Sequence, residues 1–118
     1  MNSTINDIWI EPELWDTTTA PKEVYVILTD DGPHHKNVFL AFDNAVDGYT
    51  TVDYFDEINL GSICKTIADA EYIAKAANSS TYGGWSTPMH IIKVTNFRDA
   101  YFNVCGPEYT IIKTLNFN

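Results

Sequence analysis

Residues 66–78, Thr-Ile-Ala-Asp-Ala-Glu-Tyr-Ile-Ala-Lys-Ala-Ala-Asn, are the one stretch whose period, start signal and stop signal all agree, and they restrict what the chain can fold into. Thr66 can cap a helix, with Asp69 three residues later placing a carboxylate over its positive first turn. Asn78 and the serines behind it end the pattern. Ile67, Ala70, Ile73, Ala74 and Ala77 recur at i, i+3, i+4 spacing, while Asp69, Glu71 and Lys75 fall elsewhere. That apolar face is narrow and alanine-rich, and small side chains let a helix lie close to a sheet. The spacing therefore predicts one principal helix laid across strands supplied by the flanking sequence.

Those strands are legible as runs of β-branched and aromatic residues. Glu23 to Thr29 and Asn37 to Phe42 are joined by seven residues containing Gly32-Pro33, which predicts an antiparallel hairpin. A shorter strand is expected near Tyr49 to Val52, a further one over Met89 to Thr95, and a last one over Glu108 to Leu115. Asn96 with Asp99 can cap a short second helix over 97–104, stopped by Gly106-Pro107. The expected architecture is α+β: a mainly antiparallel sheet of four or five strands with one principal helix packed on it. Pro12, Thr17-Thr18-Thr19 and Pro21 interrupt any period in residues 1–22, which read as an irregular arm carrying Trp9 and Trp15, with Ile8 to Ile10 able to add an edge strand.

With 118 residues the chain is read as a single domain, 1–118, able to bury a core without metal or disulfide staples. An apolar content of 45% separates it from disordered acidic tails despite a net charge of −9. No apolar run is long enough to cross a bilayer and the N-terminal residues lack the pattern of a signal peptide, so no membrane association and a cytoplasmic location are expected.

The charge is unevenly distributed. Residues 1–57 hold twelve acids against Lys22 and Lys36, a balance of −10, whereas residues 58–118 hold four acids against five bases, a balance of +1. Direct nucleic-acid binding needs a Lys/Arg surface that such a chain lacks, and a basic partner fits better. Residues 43–57 mix acids with aromatics: Tyr49 and Tyr54, with Phe55, can supply contact area while Asp47, Asp53, Asp56 and Glu57 supply field. The candidate partner-binding set is Asp30, Asp31, Asp43, Asp47, Tyr49, Asp53, Tyr54, Asp56 and Glu57, with Trp15 as a further anchor for a partner or for a second copy in a homodimer.

Motifs for chemistry are sparse. An EF-hand loop started at Asp43 meets Ala45 at its third position and Tyr54 where the bidentate Glu belongs. His34 and His35 beside Asp30 and Asp31 have metal-binding chemistry, but neighbouring residues on an extended chain point to opposite faces. Cys64 or Cys105 as nucleophile with His90 or His34 as base needs the partners to meet in space, and neither cysteine lies in a recognisable catalytic motif. Gly83-Gly84 lacks the spacing and lysine of a phosphate loop. No enzyme activity, metal or cofactor is expected. The alternative of a small-ligand or nucleotide site, or a small enzyme, centres on His34, His90 and Trp85; a virion or structural component is the second alternative.

Val24-Tyr25-Val26-Ile27-Leu28, Phe39-Leu40-Ala41, Ile67 to Ala74 and Met89 to Val94 together resemble the small single-domain accessory proteins of bacteriophages, over roughly residues 23–95. The resemblance implies a stoichiometric inhibitor of a host defence, such as a CRISPR effector, whose acidic surface occludes a nucleic-acid-binding one. A net charge of −9 with seven tyrosines does not fit mimicry of DNA over the whole surface. The expected partner is thus a basic surface of a host protein or protein–nucleic acid complex.

Overall fold

The computed structural model describes residues 20–30, 37–43, 48–55, 58, 63–80, 88–102 and 105–116, and among these described residues the regular structure is five strands and two helices. The order is β1 (Val24–Thr29), β2 (Val38–Asp43), β3 (Gly48–Val52), α1 (Ile67–Ser80), β4 (Met89–Val94), α2 (Phe97–Phe102) and β5 (Tyr109–Leu115). All neighbours in the sheet β3-β2-β1-β4-β5 run antiparallel. The α+β class and single antiparallel sheet expected from the patterning are what the chain forms. The arm over residues 1–19, with its Ile8–Ile10 strand and its two indoles, lies outside the described residues.

β1 is central because it is apolar on both faces: Val24, Val26, Ile27 and Leu28 are all buried. It pairs with β4 from Val24↔Val94 to Leu28↔His90, but with β2 only at Leu28↔Phe39 and Thr29↔Val38. Where β2 leaves its side, Cys64 takes over. The Tyr25 amide donates to the Cys64 carbonyl (2.8 Å) and the Cys64 amide to the Tyr25 carbonyl (2.9 Å), so the buried backbone stays satisfied.

Helix α1 begins as its sequence requires. The Asp69 amide donates to Thr66 Oγ1 at 3.1 Å, the expected N-cap. The helix runs through Ser79 and Ser80, two residues past the expected stop at Asn78. Ala70, Ala74 and Ala77 are fully buried against Ile27, Leu40, Met89 and Ile91. Their small size brings the helix axis close to the sheet, and it also means that α1 alone buries little apolar area.

The other face carries a second layer that the sequence reading did not anticipate. Phe39, Phe55, Phe97, Tyr101 and Phe102 pack there with Val24, Val26, Leu28, Ile92 and Val94. Phe55 meets Phe39, Phe97 and Tyr101 edge-on at centroid distances of 5.5, 5.9 and 6.2 Å, and Phe97 stacks on Tyr101 at 5.2 Å. The chain leaves β3 over this face through Phe55 and Ile58, passes β1 at Cys64, and enters α1 on the opposite face.

Helix α2 starts at Phe97 as expected, and the Asn96 carbonyl accepts from Ala100 at 2.9 Å. The Asn96 side chain does not cap it. It donates through Nδ2 to the Gly106 carbonyl at 3.0 Å and accepts the Glu108 amide through Oδ1 at 2.7 Å, tying the entry of β5 to the end of β4. The Phe97 amide goes instead to the Lys22 carbonyl at 2.8 Å.

Candidate functional site

The strand register decides which candidate contact residues can act together. Thr29 faces Val38 and Phe39 faces Val52, so the C-terminal ends of β1 and β3 and the start of β2 share one rim of the sheet. Asp30, Asp53 and Tyr54 follow directly from those ends and stand on this rim. Asp43 is opposite Gly48 at the other end of β2, roughly 17–20 Å away along a six-residue strand. The acidic candidates therefore divide between two rims. Asp31, Asp47, Asp56, Glu57 and Trp15 lie outside the described residues.

The aromatics of this region divide as well. Tyr54 is 69% exposed, beside the exposed Asp53. Its neighbour Phe55 is buried in the aromatic layer, and Tyr49 is half-buried against the core beneath α1. Burial lifts the Tyr49 hydroxyl above its ordinary pKa, with nearby Cys64 and Tyr72 adding to the effect. Tyr49 is thus a packing residue in the fold, and Tyr54 is the aromatic that the β3 end presents to solvent.

Asp30 has a second duty. Its Oδ1 accepts the Asn37 amide at 3.0 Å, closing the mouth of the β1–β2 connection. Asn37 sits at φ 57°, a left-handed conformation in which asparagine is among the few tolerated side chains. The described cations stand elsewhere: Lys93 pairs with Glu23 (3.4 Å) and Lys113 with Glu71 (2.7 Å) on the β4–β5 side, Lys65 and Lys75 lie before and on α1, and Lys22 and Arg98 occupy the opposite rim. Lys113 holds the Glu71 carboxyl below its usual range, mainly by hydrogen bonding. Neither of these two ion pairs involves Asp53.

Of the alternative site, only His90 is described; His34 and Trp85 fall outside the described residues. His90 Nδ1 lies 2.8 Å from Thr114 Oγ1 across the β4–β5 ladder. A cavity of about 330 Å³ lies not there but at the far end of β4, lined by Lys22, Thr95, Asn96, Arg98 and Asp99. Arg98 is held in its wall by donating from Nε (2.8 Å) and Nη2 to the Ala20 carbonyl. The sequence reading missed this group, because Lys22 and Arg98 are distant in the chain and come together only when residues 20–22 dock on the start of α2.

The thiols do not meet the described histidine. Cys64 is buried on the α1 face, whereas His90 projects to the aromatic face, where its neighbours at i+2 and i+4, Ile92 and Val94, pack. Cys105 is exposed beside Asn96, past the C-terminal end of β4, which is itself about 13 Å along the strand from His90. Burial, with a smaller contribution from Asp69, pushes the Cys64 thiol up to about 12, which removes its nucleophilic form at neutral pH. No group of three or more His, Cys, Asp or Glu converges among the described residues, and none of the described helices is long and apolar enough to cross a membrane. Comparison with known proteins finds no family model that matches the chain, and no matching curated protein or solved structure.

Proposed function

We infer that the protein is a non-enzymatic binding protein that presents the acidic, aromatic rim at the ends of β1 and β3 to a basic surface of another protein. The observation that carries this reading is the divergence of two adjacent aromatics: Phe55 is taken into the core while Tyr54, beside the exposed Asp53, is 69% exposed. An exposed tyrosine next to a carboxylate supplies contact area and field at one point, the combination that engages Lys and Arg across an interface. The net charge of −9 adds a long-range field of the same sign. A target that handles nucleic acid, such as a CRISPR-like defence complex in the cytoplasm of a phage-infected host, has the basic surface required, and occluding it would inhibit the target without any chemistry on the part of this protein.

The reading is tested by affinity capture from a bacterial lysate with two baits, the wild-type protein and the double variant Asp53→Lys, Tyr54→Ala. It expects a nucleic-acid-handling protein retained by the first, released by raised salt, and absent from the second while the variant stays folded. An identical captured set from both baits would rule the rim out.

A further inference from the structure

Among the described residues β5 is an edge of the sheet, seven residues long and exposed along almost its whole length. Tyr109, Ile111 and Ile112, at 42%, 50% and 41% exposure, are three of the five large apolar side chains left exposed among the described residues. Edge strands in soluble proteins are normally shortened, charged or covered, because their unpaired amides and carbonyls accept any extended chain. The one lysine that could guard this edge, Lys113, is drawn onto Glu71 of α1 at 2.7 Å, using one of its three N–H donors.

The register with β4 tells which occupant fits. Tyr109 and Ile111 lie opposite Val94 and Ile92 on the aromatic face, Thr110 and Lys113 lie opposite Lys93 and Ile91 on the α1 face, and Ile112 is the extra residue of a bulge. Glu108 precedes Tyr109 and by alternation belongs with Thr110 and Lys113. An antiparallel pair formed about a two-fold axis at Thr110 sets like face on like face throughout. Thr110 meets Thr110 of the second copy and Tyr109 meets Ile111; with Ile112 again set aside as the bulge residue, Glu108 meets Lys113. Thr–Thr, aromatic with β-branched, and opposite-charge neighbours are the favourable cross-strand pairs. The strand is thus complementary to its own reverse, and the N–H donors that Lys113 does not give to Glu71 are open to Glu108 of the second copy.

We propose that the protein forms an isologous dimer through β5, joining two five-stranded sheets into one continuous sheet. This surface is separate from the acidic rim, since β5 and β3 are the opposite edges of the described sheet. The contact is small, so the dimer is expected to dissociate in the micromolar range.

Sedimentation equilibrium on the full chain, from about 1 to about 500 µM, tests the proposal. It expects a reversible monomer–dimer transition that is lost in Ile111→Lys and in Glu108→Lys and recovered in Glu108→Lys combined with Lys113→Glu, with circular dichroism unchanged. In a Cys105→Ser background, Thr110→Cys places two thiols across the axis, within the roughly 4.4–6.8 Å Cα separation a disulfide accepts, and oxidised glutathione should link them into a dimer. The exposed but off-axis Thr114→Cys should not be linked. A monomeric mass at every concentration, a dimer that survives Ile111→Lys, or equal cross-linking at Thr114→Cys would overturn it.

Discussion

Replacing Phe55 and Tyr54 by alanine, one at a time, separates a core residue from the exposed residue proposed for partner contact at the adjacent position of the chain. Phe55 is 5% exposed and holds edge-on contacts to Phe39, Phe97 and Tyr101 at 5.5–6.2 Å, so it links the β2 side of the aromatic layer to α2. Its removal loses the transfer free energy of the ring and leaves a cavity between elements that cannot collapse fully, about 3–5 kcal/mol. Tyr54, at 69% exposure, should cost within about 0.5 kcal/mol. With a urea m-value of about 1.5–2 kcal/mol/M for a chain of this size, Phe55→Ala should lower the unfolding midpoint by about 2 M, and Tyr54→Ala should leave it nearly unchanged. Equilibrium urea unfolding followed by far-UV circular dichroism reads both. A cost above about 1.5 kcal/mol for Tyr54→Ala would make it a packing residue, and the reasoning that assigns it to recognition would fail.

Other consequences can be checked with equally simple material. Thr66→Ala removes the side chain that accepts the Asp69 amide and should destabilise the fold by about 1 kcal/mol in the same urea assay, with Thr66→Asp close to wild type. Asn37→Gly should be neutral or stabilising while Asn37→Val should cost about 1–2 kcal/mol, because φ 57° brings Cβ against the following carbonyl. In the native state one thiol, Cys105, should react promptly with a disulfide reagent, and Cys64 only on unfolding. Since the Cys64 pKa rises from 9.0 to about 12 on folding, the native state holds the proton longer than the unfolded chain. Its contribution is complete below pH 9 and is lost as pH climbs toward 12, so wild type should lose more stability between about pH 8 and about pH 10.5 than Cys64→Ala does.

What was legible in the sequence was local. The cap at Thr66, the alanine stripe of α1 and all five strands follow from period and propensity, and each strand begins or ends within a residue of its expected place. Strand order was not legible, because nothing in β3 or α1 states that the crossover must bring β4 to the far side of β1; that is decided by Cys64 completing the backbone pairing of Tyr25. The aromatic layer escaped notice for a related reason. Phe39, Phe55, Phe97 and Tyr101 come from three separate segments, and α2 is too short for its period to announce a buried face. Asn96 was expected to cap α2, but the amide of Glu108 and the carbonyl of Gly106 compete for the same side chain and win.

The candidate site was legible as composition and not as geometry. Counting acids in the first half of the chain identifies a field, but the antiparallel register of β2 and β3 sends Asp43 to one rim and Asp53 to the other. Alternation within residues 49–55 was also hidden: the strand ends at Val52, and past that point side-chain direction is set by the core space available to Phe55.

The central claim is that negative potential and exposed aromatic area coincide at the ends of β1 and β3. Titration of the isotopically labelled protein with a short oligo-arginine peptide, followed by amide chemical shifts, tests it most directly. The account predicts shifts concentrated at Asp30, Asn37, Asp53 and Tyr54 that vanish in Asp53→Lys. Shifts of equal size at Asp69, Asp99 and Glu108 would contradict it, since the acids would then be a uniform coat with no preferred side.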